Sequence, residues 1–448
     1  MKKLTEFYNS VVSETGIFGI EKKFIDLSRF SGPANPEWVS GQTIYEIYPR
    51  SFSSAGTLAQ ITKRLPEIAG LGIKIIWLMP IYPIGRKDRK GSLGSPYAVQ
   101  DYFSVNPEYG SAEDFKTLVK AAHKLRMKVI LDMVANHVSP DFEEQGILQR
   151  DEKGSIMRKY ADWTDIADLD YGLQETREFM LQVLKFWLEE FDIDGYRCDV
   201  AGYVPMDFWE PAAGELRRIK NDFYLLAEWE SPLMHKKAFN STYDWGLYWL
   251  MKKVRDGQKA PQVLLDWVQL KNSTYPADSL PLRFVENHDY PRASAVFGTA
   301  AQIPYLAFIF AVSGIPLIYN GQETGTKTGL SLFEKEPIDW SDYNEDIRRC
   351  YFELIQLRKR TKALTGRECL IVEQDFKNDV LVFLKPGNHD TLVLLNFRQE
   401  TFSIHLPEEI CSRFSKGSVI FNSSENLIFN GREAVLLPFQ AVYIQSKL

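Results

Sequence analysis

Eight short apolar segments that alternate with helical patterns are the feature that most constrains the fold of this chain. A strand buried on both faces of a parallel sheet appears in a sequence as a short, nearly continuous apolar run. Such runs are predicted at residues 44–48, 73–80, 128–134, 195–199, 223–227, 242–248, 282–286 and 315–319, with the weakest pattern at 242–248. Helical patterns lie between them, for example at residues 111–125, 176–190 and 300–312. This alternation predicts an α/β fold, a (β/α)8 TIM barrel, and a doubly wound sheet is the alternative.

Breaks in this pattern divide the chain into parts. Residues 1–40 are predicted to form an N-terminal extension, because a Ser-Gly-Pro-Ala-Asn-Pro stretch at 31–36 separates them from the first strand. The barrel is predicted over residues 41–137 and 171–365. Residues 138–170, which are rich in charge and lack periodicity, are predicted to form a short inserted domain after the third strand. From 366 to 448, short apolar or alternating runs separated by turn residues predict a C-terminal antiparallel β-sandwich.

The composition argues against several classes of partner. The net charge is −6 and the pI is about 5.7, so the chain lacks the basic surface that nucleic acids or anionic membranes require. No apolar run reaches the length of a membrane span, and acidic and basic residues interrupt the N-terminus where a signal peptide would be apolar. The four cysteines show no Cys-x-x-Cys spacing, which is typical of free thiols in a reducing compartment. We therefore expect a cytoplasmic protein without a nucleic-acid or membrane partner.

Three of the apolar runs lead into carboxylates. The fourth run ends at Asp199, the fifth is followed by Glu228, and Asp289 lies three residues after the seventh. The carboxyl ends of barrel strands gather at one face of the barrel, so we expect these three acids to meet in one pocket. Cleavage of a glycosidic bond requires two carboxyl groups in different protonation states, one to attack and one to donate a proton.

Basic side chains accompany the acids at the same strand ends, namely His137, Arg197 and His288. Arg197 lies two residues before Asp199, so both side chains face the same side of their strand. A fixed positive charge there should keep Asp199 ionised. Clustered negative charge and partial burial should instead keep Glu228 protonated near neutral pH.

Four motifs give the chain a resemblance to a known family. They are Asp-Met-Val-Ala-Asn-His at 132–137, Gly-Tyr-Arg-Cys-Asp at 195–199, Ala-Glu-Trp at 227–229 and Glu-Asn-His-Asp at 286–289. In this order on strands 3, 4, 5 and 7, the sequence strongly resembles the α-amylase family of retaining glycosidases. The resemblance covers most of the chain from about residue 41. It implies that Asp199 is the nucleophile, that Glu228 protonates the leaving oxygen and then deprotonates water, and that Asp289 binds sugar hydroxyls and stabilises the transition state.

The resemblance also implies substrate-binding residues. His137 and His288 match the pair that hydrogen-bonds the sugar being cleaved, Tyr97 matches the aromatic platform beneath it, and Arg197 completes this set beside the nucleophile. Asp101 matches a position that supports the loop of Tyr97. Ala98 stands where many exo-acting α-glucosidases of the family carry an acid, which favours an open cleft and internal cleavage. Gly202 and Tyr203 replace the Lys-His pair of many α-amylases, so contacts to the leaving group should differ.

Two metal sites are compatible with the sequence. Asn136 matches a calcium ligand of many α-amylases and Asp170 could supply a second ligand, so we expect Ca²⁺ as an optional cofactor and no organic cofactor. A zinc hydrolase built from Asp132, His137, His288 and Asp289 is a rival interpretation. It is disfavoured on the expectation that Asp132, five residues before His137, points to the opposite face.

The resemblance therefore predicts a hydrolase that cleaves internal α-1,4-glucosidic bonds of maltodextrins or starch through a covalent glycosyl-enzyme. The partner would be an α-glucan oligosaccharide or polysaccharide. A glucanotransferase of the same fold shares the covalent intermediate and remains an alternative. A catalytically inactive binding subunit is an alternative from another class, disfavoured because all three acids are retained.

Overall fold

The computed structural model describes residues 2–373, 379–424 and 426–447. The predicted N-terminal extension and C-terminal domain also include residues 1, 374–378, 425 and 448, which lie outside the described part. Within the described residues, no helix is both long enough and apolar enough to cross a membrane.

Eight parallel strands form a barrel, which confirms the predicted fold class. They are β1 (Ile44–Ile47), β2 (Ile75–Leu78), β3 (Lys128–Met133), β4 (Gly195–Cys198), β5 (Tyr224–Ala227), β6 (Ser241–Thr242), β7 (Leu282–Arg283) and β8 (Ile315–Tyr319). Neighbours follow the order β6-β5-β4-β3-β2-β1-β8-β7. A single parallel bridge between Tyr243 and Leu282 joins the two ends and closes the ring. Because β1 lies between β2 and β8, a doubly wound sheet is excluded.

The sixth strand is shorter than predicted. The strand ends at Thr242, only the single bridge of Tyr243 follows it, and a helix begins at Trp245, inside the predicted 242–248 segment. The carboxylate of Asp244 explains the change of structure, because it accepts hydrogen bonds from the Trp267 indole at 2.9 Å and from Arg283 Nε at 2.9 Å. A buried acid with these partners fixes a turn into the helix. The seventh strand is likewise limited to Leu282–Arg283 rather than 282–286.

Helices surround the barrel and connect its strands. Their bounds are Lys2–Thr15, Leu58–Leu71, Ala112–Lys124, Gln174–Phe191, Met206–Ile219, Trp245–Arg255, Gln262–Thr274, Ala293–Val296, Ile303–Ala311 and Glu345–Arg360. Short 3-10 helices lie at Glu37–Val39, Pro49–Ser51, Gln145–Ile147, Ala201–Tyr203, Pro232–His235, Gln322–Thr324 and Lys362–Thr365. The predicted helix at 111–125 begins with a capping box, in which Ser111 and Asp114 exchange hydrogen bonds with each other's backbone N–H groups.

The N-terminal segment packs against the helices that surround the barrel. In helix Lys2–Thr15, Tyr8 stacks on Trp267, with ring centroids 5.8 Å apart and planes 7° from parallel. The chain then runs beside the residues after β5, where Ile20 forms a parallel bridge with Glu230. Residues 2–20 are thereby attached to the strand end that carries Glu228.

The segment after β3 leaves the barrel and returns through a small antiparallel ribbon, His137–Val138 paired with Ala167–Asp168. Beyond the barrel, a five-stranded antiparallel sheet has the order Leu370–Ile371, Val380–Lys385, Thr391–Asn396, Ala441–Gln445 and Ser418–Asn422. A three-stranded sheet has the order Phe402–His405, Glu433–Leu436 and Ile428–Phe429, and helix Glu408–Phe414 lies beside it. Both sheets contribute to one buried apolar cluster, which confirms the predicted C-terminal β-sandwich.

Candidate active site

A cavity of about 350 Å³ lies at the carboxyl ends of the barrel strands. It brings together six of the residues singled out in the sequence, namely Tyr97, His137, Asp199, Glu228, His288 and Asp289. Arg197 lies directly beneath them and is fully buried. Further lining comes from loops and from the N-terminal segment, including Ile17, Phe18, Lys90, Trp163, Asp165, Trp245, Tyr290 and Phe333.

The guanidinium of Arg197 joins three carboxyl groups. Nη1 donates hydrogen bonds to Asp199 Oδ1 at 2.9 Å and to Asp132 Oδ1 at 3.0 Å. Nη2 lies 2.8 Å from Glu228 Oε1 without the alignment of a hydrogen bond. One fixed cation therefore holds the two predicted reacting acids on either side of the same cavity.

Glu228 and Asp199 occupy different electrostatic surroundings. Burial raises the pKa of Glu228 well above its ordinary value. Arg197 opposes this shift, whereas the charges of Asp199 and Asp289 reinforce it. Asp199 Oδ1 accepts a hydrogen bond from the guanidinium. Glu228 can therefore hold a proton beside a carboxyl group that is bound to Arg197.

The backbone between these acids is strained. Val200, which follows Asp199, adopts the left-handed conformation at φ 33° and ψ 46°. A β-branched residue rarely takes this conformation. In this position the Val200 N–H donates a 2.7 Å hydrogen bond to Glu228 Oε2. The strained residue thereby fixes the proton donor relative to the strand end that carries Asp199.

Asp132 belongs to the site, and the prediction that it points to the opposite face is wrong. It lies beside Arg197 in the register of β3 and β4, and its Oδ2 accepts hydrogen bonds from the Trp77 indole at 3.1 Å and Tyr97 Oη at 3.3 Å. Strand β3 ends at Met133, so the alternation of faces does not extend to His137. Burial raises the pKa of Asp132 to about 7, although Arg197 lowers it.

Tyr97 and His288 form one rigid surface at the floor of the cavity. Tyr97 Oη lies 2.8 Å from His288 Nε2, and the rings stack with planes 24° apart. His288 Nδ1 is hydrogen-bonded to Glu46 Oε1, on β1, a partner that the sequence analysis did not identify. Burial alone would lower the pKa of His288, but Asp289 and Glu46 outweigh it and raise the pKa to about 9. His288 is therefore a cationic donor at neutral pH.

His137 is neutral by contrast. Burial lowers its pKa despite the nearby carboxylate of Asp199, whose Oδ2 lies 3.7 Å from His137 Nε2. Nδ1 of His137 lies 3.2 Å from the amide nitrogen of Asn136. Because Nδ1 then acts as the acceptor, Nε2 carries the proton and is available to a ligand in the cavity.

The residues assigned to calcium do not form a calcium cage. The amide nitrogen of Asn136 faces His137 and also lies 3.5 Å from Asp168 Oδ1, while Asp170 Oδ1 accepts the N–H of Gly172 within its own turn. Ca²⁺ takes six to eight oxygen ligands. Within the described residues, no three His, Cys, Asp or Glu side chains are grouped to hold a metal. Ca²⁺ as a cofactor stays a prediction.

Asp101 and Ala98, like Asn136 and Asp170, lie outside the cavity lining. Asp101 accepts the N–H of Phe103 two residues later, which is a local turn contact. Ala98 is buried beside Ile84 and Ile166. The side chain of Asp289, in contrast, lines the cavity with 40% of its surface exposed and lies 3.3 Å from His288 Nε2. It is therefore accessible to a ligand.

Several residues of the site were not predicted from the sequence. Glu46 carried a signal, because it is an acid inside the apolar run of β1, and a charge there needs a buried partner. Lys90 and Asp165 form an ion pair at 3.1 Å across the cavity wall, and Trp163 and Phe333 lie on the same wall. These four come from loops without periodicity. Phe18 comes from the N-terminal segment, where no local pattern marks it.

The comparisons with known proteins agree with this geometry. The family model described as alpha amylase, catalytic domain, matches residues 46–166 and 149–350, well over half of the chain. The chain belongs to the alpha-amylase family. As a member of this family it is a hydrolase of O-glycosyl bonds. The predicted family resemblance is confirmed.

Three similar proteins show how far the likeness extends along the chain. The structure of a noncanonic maltogenic alpha-amylase from Thermotoga neapolitana superposes with a TM-score of 0.82 at 32% identity, covering 92% of this chain and 100% of that one. A cyclomaltodextrinase from Geobacillus thermopakistaniensis is 26% identical over 430 residues, 83% of this chain and 71% of that protein. An intracellular maltogenic amylase from Bacillus subtilis is 26% identical over 418 residues, 80% of this chain and 68% of that protein.

Proposed function

We propose that this enzyme hydrolyses internal α-1,4-glucosidic bonds of maltodextrins or starch fragments with retention of anomeric configuration. The observation that carries the proposal is the single guanidinium of Arg197, which contacts both Asp199 and Glu228. Two carboxyl groups within reach of one planar fork favour the separation of about 5–5.5 Å typical of retaining enzymes over the about 6.5–9.5 Å of inverting ones. The related proteins named as cyclomaltodextrinase and maltogenic amylase support an α-glucan substrate.

In the first step, Asp199 attacks the anomeric carbon while Glu228 protonates the departing glycosidic oxygen. Glu228 enters this step protonated because of its raised pKa, and its carboxyl is oriented by the Val200 N–H. The product is a glycosyl ester on Asp199. In the second step, Glu228, now ionised, takes a proton from water as the water attacks the ester, which restores both acids.

The floor of the cavity suits the sugar between these acids. The Tyr97 ring, held in place by His288, offers stacking area, and His137 Nε2 offers an N–H donor to a hydroxyl group. Asp289 adds an accessible carboxylate that can accept hydroxyl hydrogen bonds and stabilise positive charge on the ring. These contacts fix the orientation in which Asp199 can attack.

Internal cleavage is supported by lining residues beyond the catalytic acids. Aromatic side chains, namely Phe18, Trp163, Trp245 and Phe333, extend the cavity lining past Asp199 and Glu228 and can contact further sugar units. Ala98 is buried outside the lining, so its side chain does not determine whether the cleft is open. The resemblance to an intracellular maltogenic amylase and the free cysteines support a cytoplasmic location.

Two substrates test the proposal. A cyclomaltodextrin has no chain end, so its opening reports internal cleavage directly. With maltoheptaose, NMR of the first products reports the configuration of the new reducing end. We expect ring opening and products that appear first as the α-anomer. Release of maltose from chain ends without ring opening would contradict internal cleavage, and β-anomeric products would contradict retention.

Transfer to a sugar remains the competing function. The aromatic lining beyond Glu228 could hold an acceptor sugar, so the same maltoheptaose reaction should be sampled early. Oligosaccharides longer than seven units, appearing before shorter products accumulate, would identify a glucanotransferase. An inactive binding subunit would bind maltoheptaose without releasing any product.

A further inference from the structure

The N-terminal segment reaches the catalytic cavity by pairing with the residues that follow Glu228. The N–H of Glu230 donates to the carbonyl of Gly19 at 2.8 Å, and the N–H of Glu21 donates to the carbonyl of Glu230 at 2.8 Å. Ser231 Oγ adds a 3.1 Å hydrogen bond to Glu21 Oε2. These bonds place Phe18, two residues before Ile20, at the rim of the cavity beside Glu228.

Phe18 lies in an aromatic cluster of five residues that are far apart in the sequence. Its ring is 42% exposed and stacks on Tyr203, with centroids 6.0 Å apart and planes 14° from parallel. Tyr160, Trp229 and Trp245 surround it, with centroids at 5.8, 6.0 and 6.2 Å. An exposed phenyl ring held at a cavity rim by other rings presents a fixed, flat apolar surface.

The local sequence is adapted to this packing. A Cβ on Gly19 would lie 2.2 Å from the Trp245 ring, and a Cβ on Gly202 would lie 2.1 Å from the Trp229 ring. Both positions therefore require glycine for the indoles to pack. The phenolic oxygens of Tyr160 and Tyr203 lie 2.6 Å apart, which ties the inserted segment to the loop after Asp199.

The position of the cluster identifies the sugar that it meets. Trp229 directly follows Glu228, which protonates the leaving oxygen in the proposed mechanism, and Tyr203 follows Asp199 by four residues. Tyr97 and His288 form the floor beneath the sugar that is attacked. A sugar joined through the leaving oxygen lies beyond Glu228, on the side where Phe18 is exposed.

We propose that Phe18, stacked on Tyr203, forms the binding surface for the glucosyl unit on the leaving-group side, which is also the place of an acceptor sugar. This inference rests on the proposed function and goes beyond it by assigning a substrate contact to the N-terminal extension. The apolar face of a glucosyl ring packs on the exposed phenyl face, and the hydroxyl groups at the ring edge remain in solvent. No bond is made or broken by this contact, so Phe18 is a specificity-determining residue.

Two substrates separate this role from the chemistry of the cavity. Maltoheptaose places glucosyl units on the leaving-group side, whereas α-maltosyl fluoride leaves that side empty. For Phe18→Ala we expect kcat/KM for maltoheptaose to fall about two- to tenfold, as for the loss of one aromatic contact, with kcat/KM for α-maltosyl fluoride unchanged. With added glucose as acceptor, the ratio of transfer to hydrolysis should also fall.

Control variants exclude a general effect on folding. Phe18→Leu keeps apolar bulk without a flat ring and should behave like Phe18→Ala, whereas Phe18→Trp should restore activity on maltoheptaose. Phe30 is another phenylalanine of the N-terminal extension, 54% exposed and outside the cavity lining. Phe30→Ala should therefore leave kcat/KM unchanged for both substrates.

The outcomes distinguish this inference from the proposed function. An active wild-type enzyme whose ratio of the two kcat/KM values is unchanged in Phe18→Ala would overturn the role of Phe18 alone. A parallel loss on both substrates would do the same. A wild-type enzyme that cleaves neither substrate would overturn the proposed function and, with it, the role of Phe18.

Discussion

Replacing Glu228 by glutamine tests the central feature of the site, the protonated acid beside an ionised one. Glutamine keeps the shape of the side chain but cannot transfer a proton. Removal of general acid–base catalysis lowers turnover by about 10²–10⁴-fold, or about 3–5 kcal/mol of transition-state stabilisation. We expect a loss of this size in kcat on maltoheptaose.

The surroundings of Glu228 also predict a cost in stability. Its two oxygens face two donors, the Val200 N–H and Arg197 Nη2. A glutamine at 228 must direct its NH2 group at one of them, which leaves a buried donor unpaired at a cost of about 1–3 kcal/mol. Urea unfolding should therefore show a modestly lower unfolding free energy for Glu228→Gln, with the fold retained.

A fluoride substrate separates the two roles of Glu228. Fluoride departs without a proton, so the first step on α-maltosyl fluoride should be much less impaired. Azide attacks without a general base, so added azide should restore turnover on this substrate as maltosyl azide forms. If Glu228→Gln retained full activity on maltoheptaose, or if azide gave no rescue, the assignment of Glu228 would be wrong.

Glu230 provides a matched control for Glu228. It lies two residues later and is equally buried, but it pairs with Lys271 at 2.8 Å and does not line the cavity. Glu230→Gln should lower the unfolding free energy without the azide response. A shared azide response would show that the rescue reports folding and not chemistry.

Three further predictions concern stability. The pKa of His288 is raised from 6.5 to about 9, so protonated His288 adds on the order of 3 kcal/mol to the unfolding free energy. This stabilisation is fully present below pH 6.5 and is lost as the pH rises through about 9. Urea unfolding across this range should show the fall in unfolding free energy, and His288→Asn should remove this pH dependence. Lys271→Met removes the cation that pairs with buried Glu230 and leaves Asp244 with Arg283, so it should cost about 3–5 kcal/mol in urea unfolding, whereas Lys259→Met, in a surface ion pair, should cost under about 1 kcal/mol. Because the surroundings of Asn136 and Asp170 do not fit calcium, dialysis against EDTA should leave the melting temperature unchanged, and a rise on adding Ca²⁺ would contradict this geometry.

The strand ends were predictable because burial and chemistry coincide there. Tyr224–Ala227 is an apolar run with every residue buried, and Glu228 follows it at the face where all strands of a parallel barrel end. The same reasoning brings Asp199 into the cavity without any knowledge of the side-chain positions. These residues lie far apart in sequence, yet the regularity of the barrel makes their meeting predictable.

Positions beyond the regular strands were less predictable. The direction of Asp132 was misjudged because alternation was extended past the end of β3 to His137. Residues 242–248 alternate in polarity like a strand. Asp244, however, accepts hydrogen bonds from Trp267 and Arg283, and the chain turns into a helix there. Phe18 depends on pairing with residues more than two hundred positions away, which leaves no local signal.

The position of the first strand has a consequence for biosynthesis. On the ribosome, β1 emerges early, but one of its two neighbours is β8, which ends at Tyr319. Until that residue has been made, the nascent barrel has unpaired backbone groups along β1, and such free strand edges invite association with other chains. A growing chain of this enzyme is therefore exposed to such association until its last barrel strand can close the gap.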